Sequence, residues 1–354
     1  MRLFLHGTTV ADAMRRSHDN FTILRLILAL AVVVSHAFSV GTGRHIDEPL
    51  TLLTLYTLGE HAVNGFFAVS GFLVAMSWDR RRGVVPFVAA RLLRVFPALV
   101  VAVVLTGLVL GAALTTMPTG QYLRDGRVWQ FIVVTLTTFK SATVLPGVFE
   151  NNPLRWPIST VWTLRYELIC YAGLLGYGVV GGFRKPWIAL IAAIAIALVL
   201  VSLGIRGDIP KGTETALRLP LVFGVGSLIY LYRDRVVLSW PLLGAVIVTI
   251  ALSLLLFEAA YKPILFMGTA YIMVFIALAP SLSHPIFELP GDISYGVYLY
   301  GWPIQQALQA LFPQSGAWIM LALAVVLTCC VSLLSWIFVE KPALRLKARM
   351  MTAR

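Results

Sequence analysis

The sequence predicts an all-α membrane protein: a polytopic helical bundle of about ten transmembrane helices plus a re-entrant or interfacial segment, with both termini cytoplasmic. Three observations predict it. Hydrophobic residues make up 59% of the chain and charged residues only 12%, with a mean hydropathy of +0.85, whereas soluble domains are nearer half apolar and a quarter charged. Apolar runs long enough to cross a hydrocarbon layer of about 30 Å recur along the chain between short polar loops. Basic residues, finally, crowd into alternate loops, as the positive-inside rule requires.

The predicted spans are 22–40, 61–78, 93–115, 160–180, 187–205, 217–232, 240–257, 263–280, 293–312 and 317–338. The segment WQFIVVTLTTF at 129–139 is apolar but too short to cross, so it reads as re-entrant or interfacial. With ten spans, 17 basic residues fall on the side of the N-terminus, 9 on the other, and Arg25 and Arg165 within helices; counting 129–139 as a span lowers the split to 14 against 12. Ten is therefore preferred. The run after Phe21 continues too long, without a small-residue cleavage pattern, for a removable signal peptide, so the first helix is expected to be a retained signal-anchor. One membrane-embedded domain over 1–345 and a basic cytoplasmic tail over 346–354 account for the chain.

Lys and Arg total 28 against 16 acidic residues, a net charge of +12. In a membrane chain these charges serve topology and contacts to lipid headgroups or a phosphate-bearing ligand, and no nucleic-acid motif accompanies them. Cys170, Cys329 and Cys330 lie in apolar runs without ligand spacing, so neither a disulfide framework nor a metal site is expected. No internal repeat argues for a transporter fold.

The first span carries the chemistry. Arg25 and His36 are eleven residues apart, close to three helical turns, so both point the same way roughly 16 Å apart, with Leu28, Ala29 and Val32 between them. An ionisable group at membrane depth costs a few kcal/mol and faces the protein interior or a wet cavity. Histidine, titrating near neutrality, is the natural general base. In the second span, Asn64 and Ser70-Gly71 read first as a helix-packing surface. Arg91 and Arg94 stand at i and i+3 on the start of the third, spaced to clamp a phosphate or pyrophosphate by forked hydrogen bonds. The fourth opens STVWTLRYELICY, where Glu167 is either a structural partner of Arg165 or a carboxylate that orients the histidine. Near the end, Ser294, Tyr295, Tyr298, Tyr300, Gln305 and Gln306 put hydroxyls and amides along one helix, as an acceptor groove or as an interfacial aromatic belt. Glu340 and Pro342 are expected to end the last helix.

These elements, in this order, resemble the acyltransferase-3 family of integral membrane O-acyltransferases. The resemblance rests on Arg25 and His36 with ten residues between them, FFAVSGFL at 66–73, Arg91-Leu-Leu-Arg94 before Pro97, Trp162-Thr-Leu-Arg-Tyr-Glu167, SYGVYLY at 294–300 and Glu340-Lys-Pro342. It implies transfer of an acyl group, acetyl foremost, from cytosolic acyl-CoA to a hydroxyl of a carbohydrate or glycolipid acceptor, in a bacterial inner membrane. It casts His36 and Glu167 as catalytic, Arg25, Arg91 and Arg94 as coenzyme A contacts, and Trp162, Arg165, Tyr166, Ser294, Tyr295 and Tyr298 as substrate contacts. No resident cofactor or metal is implied; acyl-CoA is a co-substrate. Two positions depart from the family pattern: Asn64 replaces an acidic residue common before the Phe-Phe pair, and Gly301 replaces a histidine ahead of Trp302-Pro303. Many relatives also carry an external esterase-like domain, which would here have to be a separate protein. The alternative from another class is a proton-coupled transporter or flippase of a glycan-like substrate, with His36, Arg25 and Glu167 as its relay.

Overall fold

The computed structural model describes residues 7–16, 18–44, 48–140, 143–207, 209–279, 281–282, 284, 289 and 291–352, without the side chains of 347–352. Arg2, Arg354 and the side chains of Lys347 and Arg349, all counted in the topology argument, lie outside that set. The described chain is almost wholly helical. Its two-residue strands, β1 (Thr8–Thr9) and β2 (Val237–Leu238), pair antiparallel.

The long helices are α1 (Phe21–Thr42), α2 (Leu58–Arg80), α3 (Val84–Leu114), α4 (Trp162–Val179), α5 (Pro186–Arg206), α6 (Lys211–Leu231), α7 (Trp240–Leu256), α8 (Glu258–Leu278), α9 (Ser294–Leu311) and α10 (Ala317–Ser335). Every segment expected to span is thus helical. Seven are long and apolar enough to cross a membrane: α1, α2, α3, α5, α6, α8 and the helix that begins with α10. The apolar α7 is shorter, at 17 residues.

Several expected boundaries shift. α3 begins at Val84, so Arg91 and Arg94 lie in its second and third turns rather than at its start. α6 begins at Lys211, six residues before the expected start at 217, and Arg218 within it is 1% exposed. Glu340 and Pro342 do not end the last helix. A π-helical turn over Trp336–Glu340 carries α10 directly into a further helix, Lys341–Thr352, because the wider turn absorbs the residue that proline cannot hydrogen-bond in register. That helix also crosses the boundary expected at 345.

The chain forms two compact units. The first holds residues 1–25, 63–87 and 166–290. Within it, the Asn20 side-chain amide donates to the carbonyls of Ile276 (3.1 Å) and Leu282 (3.0 Å), and Asp19 accepts from the Phe21 amide, which pins the start of α1. A Cβ on Gly71 would lie 2.0 Å from the Phe223 carbonyl oxygen, and Ser227 donates to the Gly71 carbonyl at 3.0 Å. The small residues of α2 therefore serve the close helix packing that their sequence suggested. A part-buried ion pair, Lys262–Glu214 at 2.7 Å, joins α8 to α6.

The second unit holds residues 26–62, 88–165 and 291–354. α2 enters through a reciprocal cap: the Glu60 carboxylate accepts from the Thr57 amide at 3.0 Å, and Thr57 Oγ1 accepts from the Glu60 amide at 3.1 Å. The 129–139 segment is a 13-residue helix, Gly126–Thr138, about 20 Å long and too short to span. It buries Val128, Phe131, Ile132 and Thr135 and exposes Trp129 and Val133, so one face packs inward and the other stays open. A short helix before it, Thr119–Arg124, sends the Tyr122 hydroxyl to the Gly107 carbonyl (2.6 Å) in the π-helical turn Leu105–Leu110 of α3. Burial, with Asp125 nearby, pushes the Tyr122 phenol up to about 12. Asp125 caps the 13-residue helix, and its hydrogen bonds from Arg127 pull its carboxyl down to about 2.

Candidate active site

α1 carries two ionisable side chains, Arg25 and His36. Both are half-buried, and the residues between them on that face, Leu28, Ala29 and Val32, are at most 7% exposed. Ile27, on the opposite face, is 55% exposed. The ionisable face of this helix is therefore the inward one, as the cost of placing charge against lipid demands.

In the second unit His36 meets the edge of Trp302 from α9, with ring centroids 4.9 Å apart and planes at 89°. Trp302 is fully buried and donates its indole N–H to the Trp156 carbonyl at 2.7 Å. One turn on, the Gln305 amide donates to the Val33 carbonyl at 2.8 Å, tying α9 to the backbone of α1 just before His36. Gln306 donates to the carbonyls of Leu154 and Trp156 and accepts from Asn152 at 2.8 Å, which sews the long loop onto the same helix. Ser35 donates to Glu48 at 2.5 Å; Glu48, only 4% exposed, also accepts from the Leu58 amide at the start of α2.

Gly301 explains its own departure from the family pattern. A Cβ there would stand 2.7 Å from Val33 Cγ2, so α9 packs on α1 with no room for any side chain. The neighbouring tryptophan, not residue 301, faces the histidine. Asn64, the other departure, is fully buried in the first unit, and among the described residues neither of its amide atoms has a hydrogen-bond partner.

A second cluster gathers three of the motifs. The Arg94 guanidinium pairs with Asp292 at 2.8 Å and with Glu340 at 3.4 Å, and stands 5.6 Å from the Tyr295 ring centroid. Asp292 accepts from Ser294 through both hydroxyl and amide, and the Tyr295 hydroxyl donates to the Val95 carbonyl at 2.9 Å. Tyr298 shares a 2.7 Å hydrogen bond with Thr163, inside the Trp162–Glu167 motif, and donates to the Thr160 carbonyl. Tyr295, Tyr298 and Tyr300 are all buried, which excludes the interfacial-belt reading of this helix.

Arg91 stands one turn before Arg94 and is half-buried. Trp162 is half-buried, and Arg165 is exposed. In the first unit, Tyr166 and Glu167 are half-buried, and Glu167 accepts a hydrogen bond from Tyr171 one turn along α4. Arg165 and Glu167, two residues apart on a helix, face different ways, so an ion pair between them is disfavoured. Among the described residues no three His, Cys, Asp or Glu side chains are grouped to hold a metal.

Sequence reasoning missed Trp302 as the partner of His36, Asp292 as the partner of Arg94, and the buried Glu48. Only Glu48 carried a local signal, as one of two adjacent carboxylates, Asp47-Glu48, between two apolar helices; the other pairings join residues about 200 or more positions apart.

The acyltransferase-3 family, described as an acyltransferase domain, matches residues 18–339. The chain is 29% identical to the O-acetyl transferase of Shigella phage Sf6, over 91% of this chain and 94% of that protein. It is 28% identical to nodulation protein 10 of Rhizobium leguminosarum bv. viciae, over 95% and 96% of the two chains. To the acyltransferase MdmB of Streptomyces mycarofaciens it is 29% identical, over 57% and 50%. No solved structure matches. With an inward-facing Arg–His helix, a buried tyrosine-rich helix against it and a family match over nearly its whole length, the chain belongs to the acyltransferase-3 family of membrane acyltransferases.

Proposed function

We propose that the chain is an integral membrane O-acyltransferase that moves an acyl group, acetyl foremost, from cytosolic acyl-CoA to a hydroxyl of a carbohydrate or glycolipid acceptor. It does so in a bacterial inner membrane, with ten spans and both termini cytoplasmic. The observation that carries this reading is the burial of the α1 face between Arg25 and His36, capped by the edge of Trp302.

The donor enters past Arg25, and its thioester reaches His36. The imidazole takes the proton of the acceptor hydroxyl as the oxygen attacks the thioester carbon. The carbon–sulfur bond then breaks, and the imidazolium returns the proton to the departing thiolate. Glu167, which accepts from Tyr171 on its own helix, is kept as the second catalytic residue. The phosphate end of coenzyme A sits against Arg91. Arg94, already engaged by Asp292 and Glu340, contributes chiefly by holding α3, α9 and the π-helical turn in register. Ser294, Tyr295, Tyr298, Trp162, Arg165 and Tyr166 are assigned as further substrate contacts.

Turnover of radiolabelled acetyl-CoA in membranes carrying the His36→Ala variant tests the reading. General-base removal lowers transfer by about 10²–10⁴-fold. Full transfer by that variant contradicts it.

A further inference from the structure

Beyond His36, toward the C-terminal end of α1, the second unit contains a groove of about 480 Å³ between α1, α9 and the start of α10. That volume is within the range of small-molecule sites, about 300–1,000 Å³. Its walls are largely apolar, but they include the side chains of Thr42, Gln305, Gln309 and Ser315 and the rings of Phe38 and Trp318. Val40, one turn after His36 on the same face, also lines it, and Gln305 is one turn beyond Trp302. The groove therefore begins where the His36–Trp302 pair ends.

Gln305 is 4% exposed. Its amide nitrogen is spent on the Val33 carbonyl, and among the described residues its Oε1 has no donor. Leaving a buried amide oxygen unmatched costs about 1–3 kcal/mol, which an aliphatic chain in the groove would not relieve and a ligand hydroxyl would. Trp318 is 80% exposed at the groove, an indole face with no partner ring among the described residues. Aromatic rings beside amides and hydroxyls suit a ligand with apolar C–H faces and a rim of hydroxyls.

We propose that this groove is the acceptor subsite, and that it takes a hydroxylated sugar ring whose hydroxyl reaches the Gln305 carbonyl as the amide turns toward the groove, while Phe38 and Trp318 pack on the ring faces. The proposal rests on the transferase reading for the word acceptor, and on the groove alone for the sugar. In that topology the groove opens at the outer end of α1, opposite the end that receives coenzyme A.

The test uses the full chain in lipid nanodiscs with methyl glycosides of glucose, galactose, mannose and rhamnose, each carrying one diazirine, and maps the photolabelled peptides by mass spectrometry. Label is expected in 38–42 or 317–321, displaced by excess of the unmodified methyl glycoside. Loss of one hydrogen bond or one stacking face reduces occupancy about tenfold, so Gln305→Leu and Trp318→Ala should each lower the label by that factor. The exposed Trp318 makes its variant safe for folding. Label elsewhere, equal label in both variants, or a groove taken by a diazirine fatty acid that glycosides do not displace overturns the proposal. If the wild-type chain labels in the groove but transfers no acyl group from any acyl-CoA, the sugar site stands and the transferase reading falls.

Discussion

α5 and α9 are helices of similar length with opposite fates. α5 is the most apolar of the candidate spans, yet of its 21 residues only Ala193 and Leu200 are buried. α9 has 18 residues, three tyrosines and three glutamines among them, and buries fourteen. In water the apolar helix would be the core. In a bilayer the lipid accepts Leu and Ile as readily as the protein does, so what drives a helix inward is the need of its polar groups for partners. Burial here therefore tracks hydrogen-bonding capacity, and α1, whose ionisable side chains are Arg25 and His36, turns that face inward.

The comparison breaks most visibly at Arg94. Arg94→Ala leaves Asp292 and Glu340 as mostly buried carboxylates without their cation, a loss of about 3–5 kcal/mol. The melting temperature of the detergent-purified protein should drop accordingly, with Arg94→Lys recovering part of it. An unchanged melting temperature would mean that the cluster does not hold α3 to α9. Gly301→Ala comes next. Its methyl would meet Val33 at 2.7 Å, and overpacking of this kind costs about 1–3 kcal/mol; thermal unfolding as mild as wild type would show that α9 has slack there.

Tyr122 offers a pH test outside the spans. Its folded phenol ionises near 12 against an ordinary value of 10, so the folded state prefers the protonated form. Stability from this group is complete below pH 10 and is lost as pH rises toward 12. Proteolysis of the 115–140 region should accelerate across that window, and less so in Tyr122→Phe; equal acceleration in both would remove the Gly107 contact from the account. The smallest effect belongs to α5. Leu198 is 62% exposed, and Leu198→Ala should change stability by no more than about 0.5 kcal/mol and leave acyl transfer intact. A large loss would show that this face packs against protein.

The sequence made much of this arrangement readable, for reasons visible in particular residues. Hydropathy located the helices, and the spacing of Arg25 and His36 marked the inward face of α1, since an α-helix repeats every 3.6 residues whatever surrounds it. The order of the motifs identified the family. What stayed hidden was how the motifs meet. Arg94 reads as a phosphate clamp until Asp292 and Glu340, 198 and 246 residues further on, come within reach of it. Helix ends were equally opaque: Pro342 looks like a terminus, and only a π-helical turn, which no local pattern announces, lets the helix pass through it. Gly301 looks like a lost histidine, and Trp302 beside it is the ring that His36 touches.

The most direct measurement is an experimental structure of the protein bound to a non-hydrolysable acetyl-CoA thioether. Density for the pantetheine arm along α1 from Arg25, with the sulfur within hydrogen-bonding distance of His36, is the result this account predicts. A donor bound on any other helix face, or α1 turned so that His36 meets lipid, would contradict it.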